Sequence, residues 1–303
     1  MSLRKLAESI GEAPAVSGRS DSALLFNINS SFIRPLKVLL FSIAAQRTLL
    51  DSPIVIFTDD EAVKADSFLK GVSDRIELIS VHDLKKFKNI NASRIDNRVR
   101  LDWIPAYTFL NWFAFSSLGY SQHIFLDADM LCVGPLDHLT SWRERPLYGC
   151  PVFPKEMHSP GGERLGMEQS SNNISSFLAD RTKWSSLNSG MMVINQQLLS
   201  ESFREALIER ATVKTFSSEQ RVIQDEIDRA WGGVEMCSPI DNFHAGFLRF
   251  LLEPQREAVR ANINLLHYVG VGGKPWKRQG ANRAVDVEWM AAERRSLPFT
   301  GAS

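Results

Sequence analysis

The chain has 303 residues, 44% hydrophobic and 23% charged, enough to bury a substantial core as one large α/β domain. Its 35 Lys and Arg balance 35 Asp and Glu, so no basic excess points to nucleic acid. Cys132, Cys150 and Cys237 lie far apart with no CxxC pair, which argues against a disulfide scaffold or a structural zinc site and fits a reducing cytoplasm.

Residues 1–22 are polar, punctuated by Gly, Ser and Pro, and lack the apolar segment of a secretory leader. They read as a flexible arm with one helical turn over 3–10. No run of about 18 apolar residues exists for a membrane span, so a soluble cytoplasmic protein is expected, with peripheral contact to the inner membrane face left open. Residues 23–26 form an apolar strand, followed by Asn27, Asn29, Ser31 and Phe32 in a polar turn. Pro35 then opens a helix carrying Leu36, Leu39, Leu40, Ile43 and Ala44 on its apolar side. Strand, polar turn and helix begin a nucleotide-binding half: the small polar groups suit a base or ribose, and Phe32 suits stacking on a base. An ordinary Asx-capped turn has the same composition.

A second strand follows at 54–57, with Asp59 and Asp60 capping a helix over 61–69 that Gly71 ends, and a third at 76–81. The basic stretch 84–91 reads as a solvated face. Residues 104–118 are apolar on nearly every side, so they predict a helix buried under the sheet, with Trp103, Phe109, Trp112, Phe113 and Phe115 in the core. This alternation predicts a mostly parallel central sheet with helices on both faces.

The apolar strand 124–126 ends in Asp127-Ala128-Asp129. In an extended chain the two carboxylates share one face. Two anions at the carboxyl end of a buried strand are costly without nearby positive charge, and that edge is where α/β sheets bind ligands. A divalent cation holding an anionic substrate satisfies both conditions, although a bare Asp-x-Asp also arises from a helix cap beside an exposed acid.

Residues 158–173, long, polar and glycine-rich, predict a mobile flap near the substrate. Asn188-Ser189-Gly190 heads a buried strand over 191–194, an amphipathic surface helix follows over 201–211, and another helix over 219–227 carries Gln224 and Asp225, which face either a cleft or solvent. Near the end, His267 closes an apolar strand, and a glycine-rich turn with Gly270 leads to Lys274-Pro275-Trp276. Glycines let backbone N–H groups approach phosphate oxygens, and a lysine adds a point charge.

Together the 125–129, 187–190, 224–225 and 267–276 stretches resemble the family 8 glycosyltransferases of the GT-A fold, a group containing glycogenin and bacterial lipopolysaccharide galactosyltransferases. The resemblance runs over about 23–276 and implies one GT-A domain over 23–280 with a C-terminal tail over 281–303. It implies a metal-dependent, retaining hexosyltransferase acting from a nucleotide sugar, UDP-linked, to a glycan or lipid-linked saccharide. Asp127, Asp129 and His267 would hold the metal, and a shell of two carboxylates and one imidazole suits Mn²⁺ better than Mg²⁺. Asn27, Asn29, Ser31, Phe32 and Asp127 would hold the nucleoside, and Gly270 and Lys274 the diphosphate. Asn188, Ser189, Gly190 and Gln224 would meet the donor sugar, with Gln224 and Asp225 nearest the anomeric carbon. The chain departs from the family pattern in three places. Ile223 stands where an acid usually precedes the Gln, Asn111 where a Lys or Arg is common, and the 267–274 loop is one residue longer.

Two other classes share parts of this pattern: a catalytically weak nucleotide- or glycan-binding homologue, and a sugar nucleotidyltransferase. A two-carboxylate glycosidase fits least, because Asp127 and Asp129 share one face instead of flanking a bond.

Overall fold

The computed structural model describes residues 1–11, 18, 20–95, 106–214, 216, 218–270, 274–277 and 284–301. Its strands are β1 (Ser22–Asn27), β2 (Ile54–Thr58), β3 (Arg75–Leu78), β4 (Gln122–Leu126), β5 (Met130–Cys132), β6 (Leu147–Pro151), β7 (Leu187–Asn195), β8 (Glu235–Met236), β9 (Phe243–His244) and β10 (Leu265–His267). The α-helices are α1 (Leu3–Ile10), α2 (Ile33–Ala45), α3 (Glu61–Ala65), α4 (Ser67–Val72), α5 (Val81–Ile95), α6 (Met167–Ala179), α7 (Glu201–Val213), α8 (Glu219–Trp231), α9 (Glu253–Arg260) and α10 (Ala284–Thr300).

Among the described residues the main sheet runs β3-β2-β1-β4-β7-β6-β8. Its β3, β2, β1 and β4 are mutually parallel, and only β7 runs against its neighbours β4 and β6. Leu24, Phe26, Ile56 and Ile124 face a core under α1 and α2. Ala23, Leu25, Val55 and Phe125 face a second core under α5, α7 and α8. Because both faces are covered, the strands are apolar throughout and show no alternation.

Several expectations change in detail. Asp66 is extended and caps α4 with its side chain, so the helix expected over 61–69 breaks into α3 and α4. The apolar stretch expected as a buried helix is a 3₁₀ helix, Ala106–Phe115, whose Phe109, Trp112, Phe113 and Phe115 are buried as expected. Trp103 and Ile104 lie outside the described residues. The two ends of the chain also pack. Leu3, Leu6 and Ala7 of α1 are buried against α2. At the other end, α10 buries Trp289 and stacks Phe299 on Phe41 of α2 at 5.7 Å. Half of the expected flap is helix α6, whose Ile174 and Phe177 enter a third core. Among the described residues, no helix is long and apolar enough to cross a membrane.

A second, three-stranded sheet runs β5-β10-β9, with Leu266 opposite Leu131 and His267 opposite Met130. That register carries a residue from the far end of the chain to the end of β4.

Candidate active site

β4 ends at Leu126 and the chain turns through Asp127, Ala128 and Asp129 into β5. The two acids therefore sit on a turn, where an extended strand was expected, and Ala128 is buried in the core. Two backbone hydrogen bonds fix this turn. Asp127 N–H donates to the Gly190 carbonyl at 2.7 Å, and Tyr268 N–H donates to the Asp129 carbonyl at 2.9 Å. β7 and β10 thus clasp the turn, and His267 Nε2 lies 3.6 Å from Asp127 Oδ2 and 3.2 Å from Asp129 Oδ1.

The imidazole is oriented by a residue that the sequence reading missed. Asn242 Oδ1 lies 2.7 Å from His267 Nδ1, while Asn242 Nδ2 donates to Asn188 Oδ1 at 3.2 Å. Since the Asn242 amide nitrogen is turned to Asn188, its oxygen faces the ring and accepts from Nδ1–H. The network thereby places a proton on Nδ1 and leaves Nε2 as the ring atom that faces the two acids. Asn188 Oδ1 also accepts Gly190 N–H at 2.9 Å. A Cβ on Gly190 would fall 2.4 Å from His267 Cε1, so only glycine lets the ring lie against β7. Gly190, expected at the donor sugar, instead makes room for His267.

The electrostatics of the turn call for more positive charge. Burial, with the charge of Asp129 beside it, pushes the Asp127 carboxyl up to about 7, against the pull of His267 and Lys274. Burial also disfavours a charged Asp129, but His267 and Lys274 outweigh it and hold that carboxyl below its ordinary value. The Lys274 ammonium contacts Asp129 directly and rests 5.8 Å from the Phe32 ring centre and 5.7 Å from that of Trp276. The ligand atoms of Asp127, Asp129 and His267 all lie within 4.8 Å of one another. Two carboxylates and an anchored imidazole are a donor set that fits a divalent cation.

Two cavities meet at this cluster, sharing Asp127, Asp129, Glu219, Val269 and Gly270. The smaller, 420 Å³, is lined by Asn27, Asn29, Phe32 and Lys274, all expected on the nucleotide side. Ser31 is not in its lining; its hydroxyl donates to Asn29 Oδ1 at 2.6 Å and so holds that side chain. Asp59, Asn111 and Lys277 also line it. The sequence reading had Asp59 as a helix cap, but Asp60 alone caps α3, accepting from Ala62 N–H at 2.9 Å. Asn111, the position that departs from the family pattern, accepts from Asn27 Nδ2 at 3.3 Å.

The larger cavity, 1250 Å³, is lined by Asn188 and Ser189, the residues read at the donor sugar, but neither Gln224 nor Asp225 reaches either cavity. Gln224 is buried, accepting Leu187 N–H at 3.1 Å and donating to the Ser185 carbonyl at 2.8 Å. Asp225 faces α7: Arg210 Nε and Lys214 Nζ each donate to it at 2.6 Å. Burial raises the Asp225 carboxyl's pKa, but those two cations outweigh it and lower the value overall. Glu219 and Gln220, one turn earlier, line the cavity instead. Ser189 Oγ donates to Glu219 Oε1 at 3.0 Å and Ser189 N–H to Gln220 Oε1 at 3.3 Å. Gln220 and Gln224 share a helix face at i,i+4 spacing, so the pattern alone does not tell which turn meets the cleft.

The sequence model of Glycosyl transferase family 8 matches residues 23–280. No curated protein matches the chain. Among solved structures it is similar to the glycosyltransferase GlyE of Streptococcus pneumoniae TIGR4, at 16% identity and a TM-score of 0.56 over 91% of this chain and 60% of that one. It is also similar to the galactosyltransferase LgtC, solved with donor and acceptor sugar analogs, at 17% identity and a TM-score of 0.57 over 90% of this chain and 95% of that one. A third, the bifunctional glycosyltransferase WbbM, is 14% identical, with a TM-score of 0.54 over 93% of this chain and 53% of that one. The chain thus spans 60% or less of GlyE and WbbM but nearly all of LgtC. At these identities the likeness is one of fold, the GT-A glycosyltransferase fold.

Proposed function

The chain belongs to glycosyl transferase family 8, and from that premise we propose that it moves a hexose from a UDP-sugar to a glycan or lipid-linked saccharide, retaining the anomeric configuration and requiring a divalent cation, Mn²⁺ before Mg²⁺. The observation that carries this reading is the Asp127–Asp129–His267 cluster, whose two acids line both a 420 Å³ and a 1250 Å³ cavity. A transferase needs room for a nucleotide and, beside the same centre, room for a sugar and its acceptor, and two cavities that meet at the acids fit that need.

In this reading Asn27, Asn29 and Phe32 hold the nucleoside, with Ser31 bracing Asn29, and Asn111 and Asp59 add polar contacts on the same side. Gly270 and Lys274 grip the diphosphate. A cation held by Asp127, Asp129 and His267 would supply positive charge where the leaving group gains negative charge. Lys274 does the same from the protein, and such groups favour the transition state over the ground state. Asn188, Ser189 and Glu219 face the donor sugar's hydroxyls. Gln220 takes the role first read at Gln224, beside the anomeric carbon. With Glu219 and Gln220 as the acid–amide pair of the cleft, Ile223 no longer marks a lost acid, and the main reason for a non-catalytic binder falls away. Retention by same-face displacement needs no protein nucleophile; double displacement would place Gln220 or Glu219 at the carbon.

Donor turnover tests the reading. Asp129→Ala and His267→Ala are each expected to cut metal-dependent hydrolysis or transfer by about 10²-fold or more, the scale of losing a key electrostatic group. Turnover near wild type in both variants would overturn the site assignment.

A further inference from the structure

The stretch Lys274-Pro275-Trp276-Lys277 sets two lysines three residues apart. Pro275–Lys277 is a 3₁₀ helix, and Lys277 N–H donates to the Lys274 carbonyl at 3.2 Å, so the four residues make one turn. Side chains three apart on such a turn leave it on the same side, and both lysines line the smaller cavity. The two residues between them hold the turn in place. Pro275 is buried, and the Trp276 ring meets Phe32 at 6.1 Å and Trp289 at 5.2 Å.

The two lysines differ in what their charges already do. The Lys274 ammonium contacts Asp129, so much of its charge is cancelled before a ligand arrives. Lys277 is exposed, and no carboxylate among the described residues lies within ion-pairing distance of it. Asp59 lines the same cavity but lies beyond that distance. The other acids of the wall are engaged: Asp127 and Asp129 face His267, and Glu219 accepts from Ser189 Oγ at 3.0 Å. Asn111, which accepts from Asn27, brings no charge. A nucleoside diphosphate carries about two negative charges on its outer phosphate alone. A divalent cation at residues 127, 129 and 267 is largely offset by its own two carboxylates. Among the described residues of the wall, Lys277 is therefore the positive charge not already paired.

We propose that Lys277 is a second phosphate-binding cation of the donor site, meeting the diphosphate with its whole charge while Lys274 divides its own between the diphosphate and Asp129. The inference rests on the transferase reading above and adds a residue to its donor-binding set. No bond is made or broken at Lys277, which contributes charge and hydrogen bonds.

Calorimetric titration of UDP and of uridine, at saturating Mn²⁺, into the wild type, K277Q, K277E and K277R tests this. UDP is expected to bind K277Q about tenfold more weakly than the wild type, the scale of one charge-assisted hydrogen bond, and K277E more weakly still. K277R is expected to restore most of the affinity. Uridine, which has no phosphate, should bind all four proteins alike. Raising salt to about 300 mM should weaken UDP binding less in K277Q than in the wild type, since the charge that salt screens is gone. Mn²⁺ titrated without nucleotide should bind K277Q no more weakly than the wild type, which separates Lys277 from the metal ligands. Unchanged thermal unfolding shows that the variants fold. UDP affinity unchanged in both K277Q and K277E overturns the proposal. So does a loss that K277R fails to restore, or an equal loss for uridine or for Mn²⁺ alone. Failure of the wild type itself to bind UDP with Mn²⁺ present would overturn the donor reading and this inference with it. Wild-type binding that is indifferent to residue 277 would count against this inference alone.

Discussion

At the scale of single residues, the site depends on side chains whose roles come from their neighbours. Asn242 is the clearest case. It touches His267 Nδ1 and Asn188 but lines neither cavity, so its role is to position the imidazole. Asn242→Ala is expected to weaken Mn²⁺ binding about 10–100-fold, the usual cost of losing such a partner. Asn242→Asp still accepts from Nδ1–H and is expected to restore most of the affinity. Calorimetry on both variants checks this; equal losses would show that hydrogen-bond acceptance is not what matters. Gly190→Ala should likewise impair metal binding, because the added methyl group meets the His267 ring. Gly190 stood out in the sequence, though for the donor sugar, whereas an Asn at 242 is unremarkable until β9 and β10 lie side by side. A different residue governs behaviour in acid. His123 is fully buried, its Nδ1–H donates to the Ala114 carbonyl at 2.7 Å, and its Nε2 has no hydrogen-bond partner among the described residues. Burial drives its pKa down to about 4, with the Ala114 bond pulling the other way. The unfolded chain therefore takes up this proton near pH 6.5 and the folded chain does not, so stability is full above 6.5 and falls as pH drops toward 4. Between pH 7 and 5 the His123 share of the loss is about 2 kcal/mol. Urea unfolding should show a loss smaller by that amount in His123→Gln; identical pH profiles would contradict it.

At the scale of elements, α8 separates what a pattern can tell from what only packing decides. Its apolar Val222, Ile223 and Ile227 were legible as the inward side and are buried. Which turn reaches the cleft was not legible, because Gln220 and Gln224 are equivalent by spacing. The two glutamines should fail differently. Gln220→Ala is expected to lower turnover about 10²-fold or more with little change in stability. Gln224→Ala strips a buried N–H of its partner and should cost about 1–3 kcal/mol, leaving turnover per folded molecule near wild type. Parallel denaturation and donor-hydrolysis measurements check the pair; a reversed result would return the catalytic assignment to Gln224. The 3₁₀ helix Ala106–Phe115 teaches a similar lesson. Its apolar residues marked it as buried, but hydrophobicity on every side carries no period with which to choose between helix types.

At the scale of the whole molecule, the parallel half of the sheet was readable because strand and helix alternate there in short units. The second sheet was not, since β5, β9 and β10 are two or three residues long and far apart in sequence. The terminal helix was hidden for a related reason: its main partner, α2, comes from the opposite end of the chain. Trp289 lies 5.2 Å from Trp276, which lies 6.1 Å from Phe32 at the nucleotide side. The end of the chain is thereby linked to the smaller cavity. Trp289→Ala is expected to cost about 3–5 kcal/mol and to weaken nucleotide binding together with stability. Thermal unfolding with and without UDP checks this, and unchanged UDP affinity in a destabilised variant would break the link. The Asp-x-Asp turn itself stood out in the sequence because two acids after a buried strand demand a physical explanation, and the structure sets His267 beside them.

The central claim is that one cation, held by residues 127, 129 and 267, is what fixes the donor's diphosphate. Calorimetric titration of UDP into the wild type and His267→Ala, each with and without Mn²⁺, tests it most directly. The account predicts tight UDP binding only for wild type with Mn²⁺, with added stability of about 2.7 kcal/mol at a hundredfold excess over Kd. UDP binding of equal strength without the metal, or undiminished in His267→Ala, would contradict it.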